Sequence, residues 1–202
     1  MRHIWVFVLI AILDACDVSE HDELQDGDIV FHMSQSSQSD AVRRATNSPY
    51  THMGIIFVED GEPVVYEAVG PVKSTPLDEW INRGKDRKFV VKRLVNANHK
   101  LTSEALTRLK AETVRFAGRP YDHFFEWSDD RIYCSELVWK IYEVAIGTEI
   151  GGLQIMADFN LTDPIVARKL RERFGDDIPL DEIVISPSVM FKSDKLETVY
   201  SR

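Results

Sequence analysis

The sequence predicts a mixed α+β domain in which a small antiparallel sheet packs against helices. Length is the first reason, since 202 residues suffice for one domain with a sizeable core. The second is a pair of β-rich runs, residues 53–58 and 64–69, separated by Glu59-Asp60-Gly61-Glu62-Pro63, a strong hairpin signal. The third is a set of amphipathic segments opened by polar caps and closed by glycine.

The N-terminus stands apart from that domain. Met1-Arg2-His3 is a short basic start, and residues 4–13 are an unbroken apolar run. As a helix this run would measure roughly 15 Å, against a bilayer core of roughly 30 Å. It suits the apolar region of an export signal over residues 1–16. The ending Leu13-Asp14-Ala15-Cys16 resembles the bacterial lipoprotein signal, apart from Asp14. That resemblance implies a lipid on Cys16, a periplasmic location and a membrane anchor. Asp17, directly after it, resembles the inner-membrane retention signal of enteric bacteria. A plain cleaved signal and an uncleaved anchor are the other forms such a segment takes. Residues 17–26 are acidic and polar and read as a tether, leaving residues 27–202 as the folded domain.

Within that domain Asp26-Gly27-Asp28 opens a strand at residues 29–31, and residues 36–45 form a weakly patterned helix. The hairpin follows. Thr75-Pro76 predicts a capped helix that Gly84 ends, and residues 89–95 another strand. Residues 102–117 read as a helix capped by Thr102 and closed by Gly118, with Leu106, Leu109, Thr113, Phe116 and Ala117 facing inward. A further helix starts near Cys134, carries Leu137, Val138, Ile141, Tyr142 and Ala145 on one stripe, and stops at Gly147. Asp163-Pro164 caps a helix to about Phe174, and Ser186-Pro187 a short last one.

A net charge of −9 with no basic stretch argues against a nucleic-acid partner. If Cys16 carries lipid, Cys134 has no partner for an internal disulfide. A cysteine in the first turn of a helix meets unpaired N–H groups and the positive end of the macrodipole, which favour a thiolate. Catalysis by such a thiol needs a base, and a third group to orient the base.

His52 is the base that the hairpin points to. A turn centred on Asp60-Gly61 pairs residues whose numbers sum to 121, so that Gly54 faces Glu67. His52 and Glu67 are then diagonal neighbours on one face, and Gly54 leaves room for the carboxylate to lean toward the imidazole. Met53, Ile55, Phe57, Tyr66 and Ala68 occupy the opposite face as core. Taken singly, each residue also has a plain structural reading: a packed thiol, a satisfied histidine, a solvated glutamate. A metal held by Cys134, His52 and His123 is a further option, although no spacing resembles a zinc site. Trp80, Trp127 and Trp139 read as packing residues rather than as the lining of a cleft.

Five segments then carry a resemblance: Gly-Asp-Ile-Val-Phe (27–31), Tyr-Thr-His-Met-Gly (50–54), Val-Tyr-Glu-Ala-Val-Gly-Pro-Val-Lys (65–73), Gly-Arg-Pro-Tyr-Asp (118–122) and Tyr-Cys-Ser-Glu-Leu-Val-Trp (133–139). In this order and spacing the chain resembles the YiiX/YaeF-like family of circularly permuted, papain-like proteins of the NlpC type. The resemblance implies Cys134 as nucleophile, His52 as base and Glu67 as its orienting residue. It also implies that Tyr121 and the Cys134 N–H bind the oxyanion, without metal or cofactor. The chain departs from the cell-wall peptidases of that superfamily at Asp122-His123-Phe124-Phe125 and at Tyr133, so a peptidoglycan substrate does not follow. The expectation is hydrolysis of an amide in a peptide or amino-acid conjugate. An acyl-lipid hydrolase or acyltransferase is the alternative, and a non-catalytic envelope binding protein the contrasting class.

Overall fold

The computed structural model describes residues 24–202. The export segment, Cys16 and the tether up to residue 23 lie outside these described residues. Leu24 is buried and Asp26 accepts from the Val58 N–H at 2.7 Å, so the packed chain begins upstream of the boundary read from composition.

The chain runs through β1 (Ile29–Ser34), α1 (Ser37–Thr46), β2 (His52–Glu59), β3 (Glu62–Ala68), β4 (Val72–Pro76), α2 (Leu77–Asn82) and β5 (Gly84–Leu94). It continues through α3 (Ala97–Lys100), α4 (Ser103–Phe116), α5 (Cys134–Ile146), β6 (Gln154–Ile155), α6 (Pro164–Phe174), β7 (Ile183–Val184), α7 (Pro187–Phe191) and β8 (Leu196–Ser201). Six strands form one antiparallel sheet in the order β4-β3-β2-β1-β5-β8, and β6 pairs with β7 separately.

Both faces of the sheet are covered, which explains why its central strands are apolar at both parities. Ile29, Phe31, Met53, Ile55 and Phe57 meet α4 and α5 on one face. Val30, Ile56, Val65 and Val91 meet Trp80 and Ile81 of α2 on the other. A satellite core of Met156, Val166, Leu170 and Val184 forms beneath α6, which packs on α1.

The hairpin has the expected register: Ile55 pairs with Tyr66 and Ile56 with Val65. Asp60 and Gly61 both have positive φ, at 52° and 86°, as a tight primed turn requires. Side-chain caps also form as predicted, with Thr102, Asp163 and Ser186 accepting from Ala105, Ile165 and Val189 N–H groups. The exception is Thr75-Pro76. These residues end β4, and α2 begins after them without a side-chain cap. The Thr75 hydroxyl is committed elsewhere, donating to buried Glu67 at 2.7 Å. The periodicity also missed β4 and β8, the two outer strands, where exposed polar residues such as Lys73 and Glu197 dilute the apolar pattern.

Candidate active site

Cys134 is the first residue of α5, so its N–H has no partner within the helix. Its neighbours fix it in place. The Tyr133 hydroxyl accepts from the Ile185 N–H at 3.1 Å, and the Ser135 hydroxyl donates to the Ile185 carbonyl at 2.8 Å. A single residue, Ile185 just ahead of α7, thereby holds both sides of the cysteine. Cys134 is almost entirely buried, at 4% exposure, so a substrate must reach it through a defined opening.

His52 is the first residue of β2, at the end of the sheet where α5 begins. Its Nε2 lies 2.5 Å from a Glu67 carboxylate oxygen. Cys134 lies near enough to the imidazole that its side chain, with Glu67, acts to raise the ring's pKa. The predicted diagonal pair on one hairpin face therefore forms. Gly54 makes it possible: a Cβ there would sit 2.5 Å from Val65 Cγ1 and 2.6 Å from the Tyr66 carbonyl oxygen.

Glu67 is fully buried and needs more than one partner. Its other oxygen accepts from Thr75 Oγ1 at 2.7 Å and from Arg83 Nη2. Burial pushes the carboxyl pKa up, but the His52 and Thr75 hydrogen bonds and the Arg83 charge outweigh it and hold it below the usual value. At His52 burial likewise opposes charge, yet the bonds and charges of Cys134 and Glu67 raise the imidazole to about 9. At neutral pH this ring carries a proton.

Tyr121 reaches the same place from a separate segment. It pairs with Ile132 in an isolated bridge, two residues before Cys134, and its ring lines a pocket with the cysteine. Gln38 Nε2 donates to the Tyr121 oxygen at 3.0 Å, and Arg173 Nη2 donates to the Gln38 carbonyl oxygen at 3.1 Å. Because the phenol oxygen already accepts, its own proton is available to donate. Burial, with the Cys134 charge, raises the phenol pKa, so that proton stays on.

All four residues singled out in the sequence as catalytic or oxyanion-binding candidates thus converge. Five others were not foreseen. Gln38 and Arg173 orient Tyr121, and Thr75 and Arg83 complete the shell of Glu67. His32 is the fifth. It pairs directly with His52 across β1 and β2 and stacks on Trp80 at 3.8 Å between ring centroids. Burial and the positive charges of His52 and Arg83 lower His32 to about 2, so it forms a neutral wall behind the charged ring. A histidine beside a β-strand partner of His52 was the available signal. Trp127 and Trp139 stack edge to face at 5.4 Å as packing, while Trp80 backs both histidines.

Two openings lead to this centre, and they differ in character. A cavity of about 100 Å³ runs from Cys134 between α1, α6 and β7, with mostly apolar walls. A polar cleft of about 650 Å³ is lined by His52, residues 34–39 and His123.

Residues 23–200 match the family model described as the permuted papain-like amidase enzyme, YaeF/YiiX, C92 family. The protein YiiX of Escherichia coli (strain K12) is 46% identical over 175 residues, spanning 87% of this chain and 85% of that protein. A crystal structure of yiiX from Escherichia coli O157:H7 superposes with a TM-score of 0.84 at 46% identity, covering 88% of this chain and 97% of that one. That Escherichia coli protein is described as a metalloprotein. Among the described residues here, no three His, Cys, Asp or Glu side chains gather as a metal site, and Nε2 of His52 is already engaged by Glu67. These residues do not fit a metal. The chain belongs to the permuted papain-like amidases of the YaeF/YiiX family, a family of cysteine hydrolases.

Proposed function

We propose that the protein hydrolyses an amide bond in a peptide or amino-acid conjugate through a Cys134–His52–Glu67 triad. The observation that carries this reading is the imidazole held by a buried carboxylate and close enough to Cys134 for that residue to act on its charge. The proton resides on His52, and the sulfur attacks the substrate carbonyl carbon. The tetrahedral oxyanion accepts hydrogen bonds from the Tyr121 hydroxyl and the Cys134 N–H. The C–N bond then breaks as His52 gives its proton to the departing amine, leaving a thioester on Cys134. Water attacks the thioester, His52 takes its proton, and the C–S bond breaks to release the acid. Glu67 keeps the ring in the orientation that both transfers need.

The same reading includes export, with Cys16 lipidated and the enzyme held at the periplasmic face of the inner membrane. It rests on the sequence of residues 1–17 alone.

The test is covalent labelling by an electrophilic ester probe together with turnover of peptide amides and lysine conjugates. Cys134→Ala should abolish both while leaving the circular dichroism spectrum unchanged. Labelling that persists in this variant would remove Cys134 from the role.

A further inference from the structure

The two openings divide the substrate between them. Among the described residues, the apolar cavity is lined by Cys134 and not by His52, and the polar cleft by His52 and not by Cys134. Gln38, Val42, Thr51 and Tyr121 border both. Chemistry assigns the two halves. His52 must reach the leaving nitrogen to protonate it, so the amine departs through the cleft on the His52 side. The acyl group bonded to sulfur extends the other way, into the cavity.

Ala41, Ala45, Met156, Phe159, Val166 and Leu170 give that cavity its walls, and no carboxylate among the described residues lines it. The cations at its edge are occupied: Lys169 pairs with Glu172 at 2.7 Å, and Arg173 bonds Gln38 while lying over the Phe125 ring. A charged or strongly polar acyl group would lose hydration there without compensation. Size sets the second limit. A cavity of about 150 Å³ admits benzene, so about 100 Å³ accommodates roughly four carbons beyond the carbonyl.

We propose that this cavity is an acyl-chain subsite and that the substrate is an amide of a short aliphatic acid with a polar amine. The proposal rests on the triad reading above and specifies the acyl half of its substrate. Each methylene buried should speed acylation about threefold to fourfold, until the cavity is full.

The experiment measures the burst of p-nitrophenol on acylation of Cys134 by esters that share this leaving group: acetate, pentanoate, decanoate and N-acetyl-leucine, with Cys134→Ala as the blank. Pentanoate should acylate roughly thirtyfold to sixtyfold faster than acetate, with no further gain for decanoate. Ala45→Phe should cut the pentanoate-to-acetate ratio at least fivefold by filling the cavity. Met156→Ala should move the optimum toward decanoate by enlarging it. Circular dichroism confirms that each variant is folded, and the two variants act in opposite directions, so one of them suffices. A burst with every ester at equal rates, or ratios unmoved in a folded variant, would overturn the subsite while leaving the triad intact. N-acetyl-leucine outrunning pentanoate would reassign the cavity to a peptide side chain. No burst above the blank with any ester would instead overturn the triad reading itself.

Discussion

Two adjacent histidines in one sheet are driven in opposite directions, and their surroundings explain why. His52 lies between a carboxylate and a sulfur and is raised to about 9, whereas His32 is stacked on Trp80, without a carboxylate, and is lowered to about 2. An unfolded histidine titrates near 6.5. His52 thus contributes stability that is fully present below pH 6.5 and lost as pH rises toward 9. His32 has the opposite sign: its contribution is present above 6.5 and lost as pH falls, at about 1.4 kcal/mol per unit. Burial also raises Glu136, to about 7, and this favours folding as pH falls from 7 toward 4.5, masking part of the His32 effect. The clean measurement is therefore a difference. Relative to wild type, His32→Leu should gain about 2 kcal/mol on going from pH 6.5 to pH 5, read from urea unfolding midpoints. Parallel pH profiles for the two proteins would contradict the burial of a neutral His32.

At the scale of elements, the β2–β3 hairpin and the start of α5 carry the site. Their local rules are strong ones: a primed turn, a period of two, and a helix beginning at a polar turn. This is why Cys134, His52 and Glu67 were legible in the sequence. Gly54 is where packing and chemistry meet, because the strands approach too closely there for any side chain. Gly54→Ala should destabilise the fold by about 2 kcal/mol or more, since the methyl group meets backbone as well as the Val65 side chain. It should also slow catalysis beyond what unfolding explains, by pushing Glu67 away from His52. A urea midpoint equal to wild type would show that the strands can separate at no cost. Gln38, Arg173, Thr75 and Arg83 were not legible by comparison. The Gln38–Arg173 bond spans 135 residues and exists only because α6 packs on α1. Thr75, in turn, looked like a helix cap because its sequence context is that of one, while the buried Glu67 carboxylate is a stronger claim on its hydroxyl.

For the whole molecule, the open question of the sequence is how a compact cysteine hydrolase relates to the apolar run ahead of it. The described chain contains no helix long and apolar enough to cross a membrane. Lipidation at Cys16 would tether the domain through a short acidic segment. A clickable fatty-acid analogue fed to cells should tag the wild-type protein and sediment with membranes, and Cys16→Ser should lose both properties. Tagging that survives in Cys16→Ser would exclude Cys16 as the modified residue.

The sequence by itself determined the hairpin register, most helix ends and the candidate catalytic trio. These follow from nearest-neighbour sterics, capping and strand parity, which act over a few residues. The tertiary structure alone decided that His52 comes close enough to Cys134 to be charged by it, that His32 stays neutral behind it, and that an apolar cavity and a polar cleft share a border at Tyr121. Burial, charge and cavity shape arise from segments far apart in the chain, so no local pattern encodes them.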